Sequence, residues 1–357
     1  MSSLTGTLPQ SSTVVAATPS NPSVPAKCEP AVVVAVPNWF ATLEQVITSA
    51  TDSQLEVWAP KIHELEVADQ KQGLPLSGIS KQLVRMVRDY VASEHPEWTM
   101  EEFQKQFVKQ LAAPFKCSLL NLMKVVLGIT CQNSTIFVSH AWKYNNARFF
   151  SCVLDLDVCD ANNHFWIDAL TVNQFYNHHG FEWWSQTFQQ CISAIQTTVL
   201  ILFPYSNPVP LTRAWCLFEI FCTHRAGIKF EVAMDEHETT KFRSALSDGS
   251  FNFNDWVAKI DLSKAEAFDP SDKANILAAV KRDLKSGGLH GLNKRVIEML
   301  RQWLLGQVQS AEVVTSSDDY FNVMDGKAGF LQSQGKFREA EAVYRRLVQE
   351  VKNDPKL

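Results

Sequence analysis

Four short apolar runs, each closed by a polar loop, constrain this chain more than any other feature. They lie at 134–139, 164–169, 197–203 and 228–234. The third is rich in Val, Leu and Ile and is too short for a buried helix, so it reads as a buried strand. The stretches 145–157, 183–195 and 213–224 that separate the runs carry helical periodicity. Strand alternating with helix predicts an α/β fold with a parallel sheet covered on both faces. In such sheets ligands bind beyond the carboxyl ends of the strands. The loops there begin at Ser139, Asp168 and Pro204.

The helical stretch after the third run holds the most unusual residue. A proline-rich turn, 204–210, precedes it, and Thr212 is placed to cap it. Trp215, Phe218, Glu219 and Cys222 then share one helix face, at spacing i, i+3, i+4, i+7. A carboxylate is thus set in an apolar stripe. Taken out of water, it needs a partner or a raised pKa. Either it pairs with a neighbouring Arg or His as a structural group, or it is a site carboxylate at the mouth of the sheet.

At this point the chain resembles the Toll/interleukin-1 receptor (TIR) domain. That family opens on a strand ending Phe-x-Ser-Tyr/His, matched by Phe137-Val138-Ser139-His140. Its second strand often ends in an acidic residue, as at Asp168. A helix, an apolar third strand and a helix carrying Trp-Cys-x-x-Glu follow in the plant-type branch, matched by Trp215-Cys216-Leu217-Phe218-Glu219. The resemblance implies a flavodoxin-like strand order for 131–312. It also implies, for some members, cleavage of the nicotinamide–ribose bond of NAD with Glu219 as the catalytic residue. NAD is then a substrate, and no cofactor is called for. Other members have no activity and assemble with one another. After 229–234 no fifth strand is legible; 256–262, 271–284 and 293–308 read as helices.

The loops would gather His140, Trp142, Lys143, Arg148, Asp168, Asn173 and Tyr205, with Ser139 at the strand end and Trp215 on the helix of Glu219. This is a polar and aromatic set, not a metal set. Trp142 is suited to stack on a planar base, and Lys143 or Arg148 to meet a phosphate. No Gly-rich phosphate loop speaks for a kinase or dehydrogenase. No Gly-x-Ser-x-Gly elbow speaks for a hydrolase triad.

The rest of the chain is organised around this unit. Residues 1–36 are Ser, Thr, Pro, Ala and Val with little charge and read as a disordered tail. Residues 37–130 read as helices, a small domain or a lead-in packed against the sheet, with a capping box at Thr99-Met-Glu-Glu102. Residues 316–357 read as a helical hairpin. Ala328, Gly335, Phe337, Ala340 and Tyr344 fall on the positions of a tetratricopeptide repeat of the kinesin-light-chain type, to which this segment is similar. One repeat cannot bury its own face, so either the chain is a truncated relative of a longer repeat array, or the hairpin docks on the α/β unit or on a second chain.

Composition removes several function classes. The net charge of −5 over 357 residues offers no footprint for nucleic acid. No run of about 18 apolar residues exists to span a membrane. Eight cysteines from Cys28 to Cys222 include no zinc spacing, and reduced thiols in the cytoplasm are expected. Two functions remain: a TIR-like NAD-cleaving signalling enzyme, or a TIR-like assembly protein that self-associates and binds protein partners through its hairpin.

Overall fold

The computed structural model describes residues 39–72, 76–156, 162–175, 180–248, 250–282, 287–312, 324, 327–329, 331–332 and 335–353. The tail 1–36 and the first residues of the expected hairpin, 316–323, lie outside them. The fold is α/β, built on a five-stranded, mostly parallel sheet. Its strands are β1 (Ile79–Ser80), β2 (Ile136–Ser139), β3 (His164–Trp166), β4 (Thr197–Ile201) and β5 (Lys229–Ala233). They lie side by side in the order β1-β3-β2-β4-β5. β2 is parallel to both β3 and β4, and β5 is parallel to β4. The first three apolar runs thus lie side by side and parallel, with the first between the other two.

Burial on both faces explains why these strands read as unbroken apolar runs rather than alternating ones. Successive side chains point to opposite sides. Ile136, Val138, Phe165, Ile167, Val199 and Ile201 enter one core; Phe137, Trp166, Leu200 and Leu202 enter the other. The first core is closed by Leu43, Ile62, Val84, Val87, Phe103, Leu119 and Phe149. Most of these come from 39–126, so that region is a lead-in packed on the sheet. The second core is closed by the helices Phe181–Ile195, Ala214–Ala226, Pro270–Arg282 and Gly288–Glu312.

Two details were not legible in the sequence. β1, a two-residue strand, pairs antiparallel with β3 at the sheet edge, Ile79 opposite Phe165 and Ser80 opposite His164. Ser80 then caps the helix Lys81–Glu94, its hydroxyl accepting from the Leu83 N–H at 3.3 Å. The other detail is a π turn, Gln104–Val108, inside the helix that starts at Met100. The capping box before that helix forms as expected: Thr99 N–H donates to Glu102 Oε2 at 2.8 Å and Glu102 N–H to Thr99 Oγ1 at 3.2 Å. Among the described residues no helix is long and apolar enough to cross a membrane.

Candidate functional site

The carboxyl ends of β2 and β3 and the helix after β4 bring together Ser139, His140, Trp142, Asp168 and Glu219. Ser139 is the last residue of β2, and Asp168 opens the short helix Asp168–Thr171 just beyond β3. Glu219 lies midway along Ala214–Ala226. That helix is not amphipathic; it is buried from Cys216 through Thr223, because the sheet lies on one side and outer helices on the other. Two contacts fix its rotation. Cys216 Sγ donates to the His140 carbonyl at 3.3 Å, and Thr223 Oγ1 donates to Thr198 Oγ1 on β4 at 2.9 Å. Between these pins Glu219 is turned toward β2.

Glu219 is 8% exposed. Its Oε2 accepts a 2.5 Å hydrogen bond from the Ser139 hydroxyl. No Lys, Arg or His among the described residues forms an ion pair with it. Burial drives its pKa from 4.5 up to about 8; the Ser139 bond opposes this and the Asp168 charge adds to it. The partner of the buried carboxyl is therefore a hydroxyl, not a cation.

Asp168 is the solvent-facing carboxylate of the group, its side chain 20% exposed. Its Oδ2 accepts from Trp142 Nε1 at 2.9 Å and its Oδ1 from the Ala169 N–H at 2.7 Å. His140 Nε2 stands 3.7 Å from Asp168 Oδ1. Burial lowers the His140 pKa, and Asp168 only partly offsets that, so the imidazole is neutral at physiological pH.

The other candidates point elsewhere. Arg148 bridges Asp235 and Glu238, with Nη2 3.0 Å from Glu238 Oε1, and its guanidinium lies over the Phe203 ring at 4.3 Å. Lys143 reaches Glu266 at 3.0 Å, where Arg213 also arrives at 3.1 Å. Tyr205 takes part through its backbone: its N–H donates to Glu238 Oε2 at 2.8 Å, and its carbonyl accepts from Trp256 Nε1 at 2.7 Å. Trp215 Nε1 donates to Asp272 Oδ2 at 3.1 Å while its ring packs against Phe181, Phe188 and Phe218. Thr212 does not cap the helix. It ends a 3-10 turn, its hydroxyl donates to the Val209 carbonyl at 2.8 Å, and Arg213 occupies the cap position.

Asn173 belongs to a second buried group that the sequence did not disclose. Its Nδ2 donates to Glu66 Oε2 at 2.6 Å and to the Lys116 carbonyl at 2.7 Å. Glu66 Oε1 accepts from the Ser118 N–H at 2.9 Å and from Asn121 Nδ2 at 2.8 Å. Glu66 is one acid among several on a polar helix, Asp52–Gln72, so no local pattern marks it. Among the described residues no cluster of three His, Cys, Asp or Glu is arranged to hold a metal ion.

No family model matches the chain, and neither a curated protein nor a solved structure matches it.

Proposed function

We propose that this chain is a TIR-like signalling protein in which Glu219 cleaves the nicotinamide–ribose bond of NAD. The observation that carries the proposal is a buried carboxyl group without a cationic partner among the described residues, set at the carboxyl ends of parallel strands. Burying such a group is costly. A cationic ligand offsets that cost, and the nicotinamide ring of NAD is cationic. As the C–N bond breaks, its electron pair returns to the ring nitrogen. Neutral nicotinamide leaves without needing an acid. The ribose is left as an oxocarbenium-like centre, comparable to that of glycoside hydrolysis. Ionised Glu219, oriented by Ser139, faces that charge and stabilises it. Water then adds to the anomeric carbon and releases a proton.

Two further features support this reading. In chain order the parallel strands run second, first, third, fourth across the sheet, as a flavodoxin-like domain requires. Trp142, its indole N–H on Asp168, places a half-buried aromatic ring next to that carboxylate. Residues 316–357 are read as a tetratricopeptide-like hairpin that recruits protein partners.

The test is incubation of the full chain with NAD at high protein concentration, with nicotinamide and ADP-ribose measured. Release of both products is expected. Glu219→Gln is expected to slow it by about a hundred to a thousand fold. No nicotinamide release from concentrated, folded protein overturns the enzymatic reading.

A specific observation favours a second reading, a non-catalytic assembly protein. Lys143, Arg148 and Asn173, the polar groups suited to grip a dinucleotide, each already have a partner in the chain, Lys143 in an exposed ion pair with Glu266, Arg148 on Asp235 and Asn173 on buried Glu66. In that case the TIR-like unit self-associates and the hairpin holds partners.

A further inference from the structure

The sheet ends at β5, and the outer side of that strand has no strand partner among the described residues. Lys229 N–H donates to the Gln196 carbonyl, and Leu202 N–H donates to the Ala233 carbonyl. In a parallel ladder this turns the peptide groups of Lys229, Glu231 and Ala233 toward β4. Those of Phe230 and Val232 consequently point outward, with no backbone partner among the described residues.

A groove runs along this edge, between β5 and the helix Gly288–Glu312, lined by Phe230, Met299 and Trp303 with His224, Glu231 and Glu298 at its sides. Two of its members have unmet needs. Trp303 is 9% exposed and its indole N–H is buried without an acceptor. Glu298 is exposed and has no cation among the described residues, whereas Glu231 already has Lys229 at 3.2 Å.

From this edge we infer a binding site for an extended peptide that adds to β5 as a further strand and carries basic residues among apolar ones. The backbone bonds come from Phe230 and Val232. Apolar side chains of the peptide rest on Phe230 and Met299, and a lysine or arginine meets Glu298. The inference stands independently of NAD cleavage, because β5 lies at the sheet edge and contributes none of the residues around Glu219.

The test measures binding of a short fluorescent peptide alternating lysine and valine to the full chain, with an alternating glutamate and valine peptide as control. Saturable binding of the basic peptide alone is expected. Val232→Pro removes an outward N–H and leaves the ladder to β4 intact, so it is expected to weaken binding about tenfold or more, one lost bond in a buried strand being worth ~1–2 kcal/mol. Glu298→Lys, on an exposed helix position that cannot disturb the core, is expected to reverse the preference between the two peptides. Equal binding of both peptides, or indifference of a folded Glu298→Lys protein, overturns the inference. So does failure of the basic peptide to bind. A dimer that forms with rising protein concentration and is lost in Val232→Pro also overturns it, because the edge would then pair with a second copy.

Discussion

Glu219 sets the behaviour of the site at the scale of a single residue. Its folded pKa of about 8 stands above the ordinary 4.5, so the folded state holds a proton that the unfolded chain releases. Stability from this group is complete below pH 4.5, falls as pH rises toward 8, and is level above that. Glu219→Gln has no proton to lose. The variant is therefore expected to be more stable than the parent near neutrality by on the order of 2–3 kcal/mol, with the gap widening from acid to mildly alkaline pH. Denaturant midpoints at several pH values check this; a gap that stays constant with pH refutes it. Under the proposed NAD cleavage the same titration governs activity. Catalysis needs the carboxylate, so kcat/KM for NAD should rise with pH and level off above about 8. Glu66 is the opposite case. It is buried and accepts from Ser118, Asn121 and Asn173. Glu66→Ala strands those donors and should lower stability by about 2–4 kcal/mol in chemical denaturation.

Elements explain why some of the chain was legible and some was not. β2, β3 and β4 carry their own evidence, because strands buried on both faces are apolar throughout. Ser139, Asp168 and Glu219 could be placed together because strand ends in a parallel sheet converge by topology. Lys143, Arg148, Asn173 and Tyr205 could not be placed, since their partners, Glu266, Asp235, Glu66 and Glu238, lie far along the chain on elements with polar, unremarked sequences. β1 was hidden for a different reason: two residues carry no periodicity. β1 is held by hydrogen bonds such as Gly78 N–H to the Gln132 carbonyl at 2.8 Å, and the close approach they need is open only because Gly78 has no side chain. A Cβ there would stand 2.7 Å from Ser134 Oγ and 2.8 Å from His164 Cβ. Gly78→Ala therefore forces the β1–β3 edge apart and should cost about 1–3 kcal/mol. Hydrogen exchange should show the loss of protection concentrated at 76–80 and 164–165. Uniform loss, or none, would mean that the edge is not held by this close approach.

Over the whole molecule, the lead-in and the carboxyl-terminal segment relate to the sheet differently. Residues 43–123 share one continuous core with the strands, so removing them would expose Ile136, Val138, Phe165 and Val199 at once. The segment after 312 has a core of its own. Met324, Ala328, Leu331, Ala340, Val343 and Leu347 are buried together, with Tyr344 half-buried against them. Gly335, at φ +71°, turns the chain into the helix Phe337–Asn353; the left-handed conformation there favours glycine. Among the described residues, Leu305, on Gly288–Glu312, is the one residue from the rest of the protein that joins that cluster. One half-buried leucine contributes on the order of 1 kcal/mol, small beside the two cores that close the sheet. Deleting 316–357 should therefore leave the sheet folded, with cooperative unfolding and a midpoint lowered by no more than ~2–4 °C. Calorimetry of the full and shortened chains tests this. A shortened chain without a cooperative transition would show that the segment after 312 is part of the sheet's core. A folded shortened chain lets the two functional readings be separated, because the proposed NAD cleavage uses residues of the sheet and should survive the deletion, whereas a partner held by the segment after 312 should be lost.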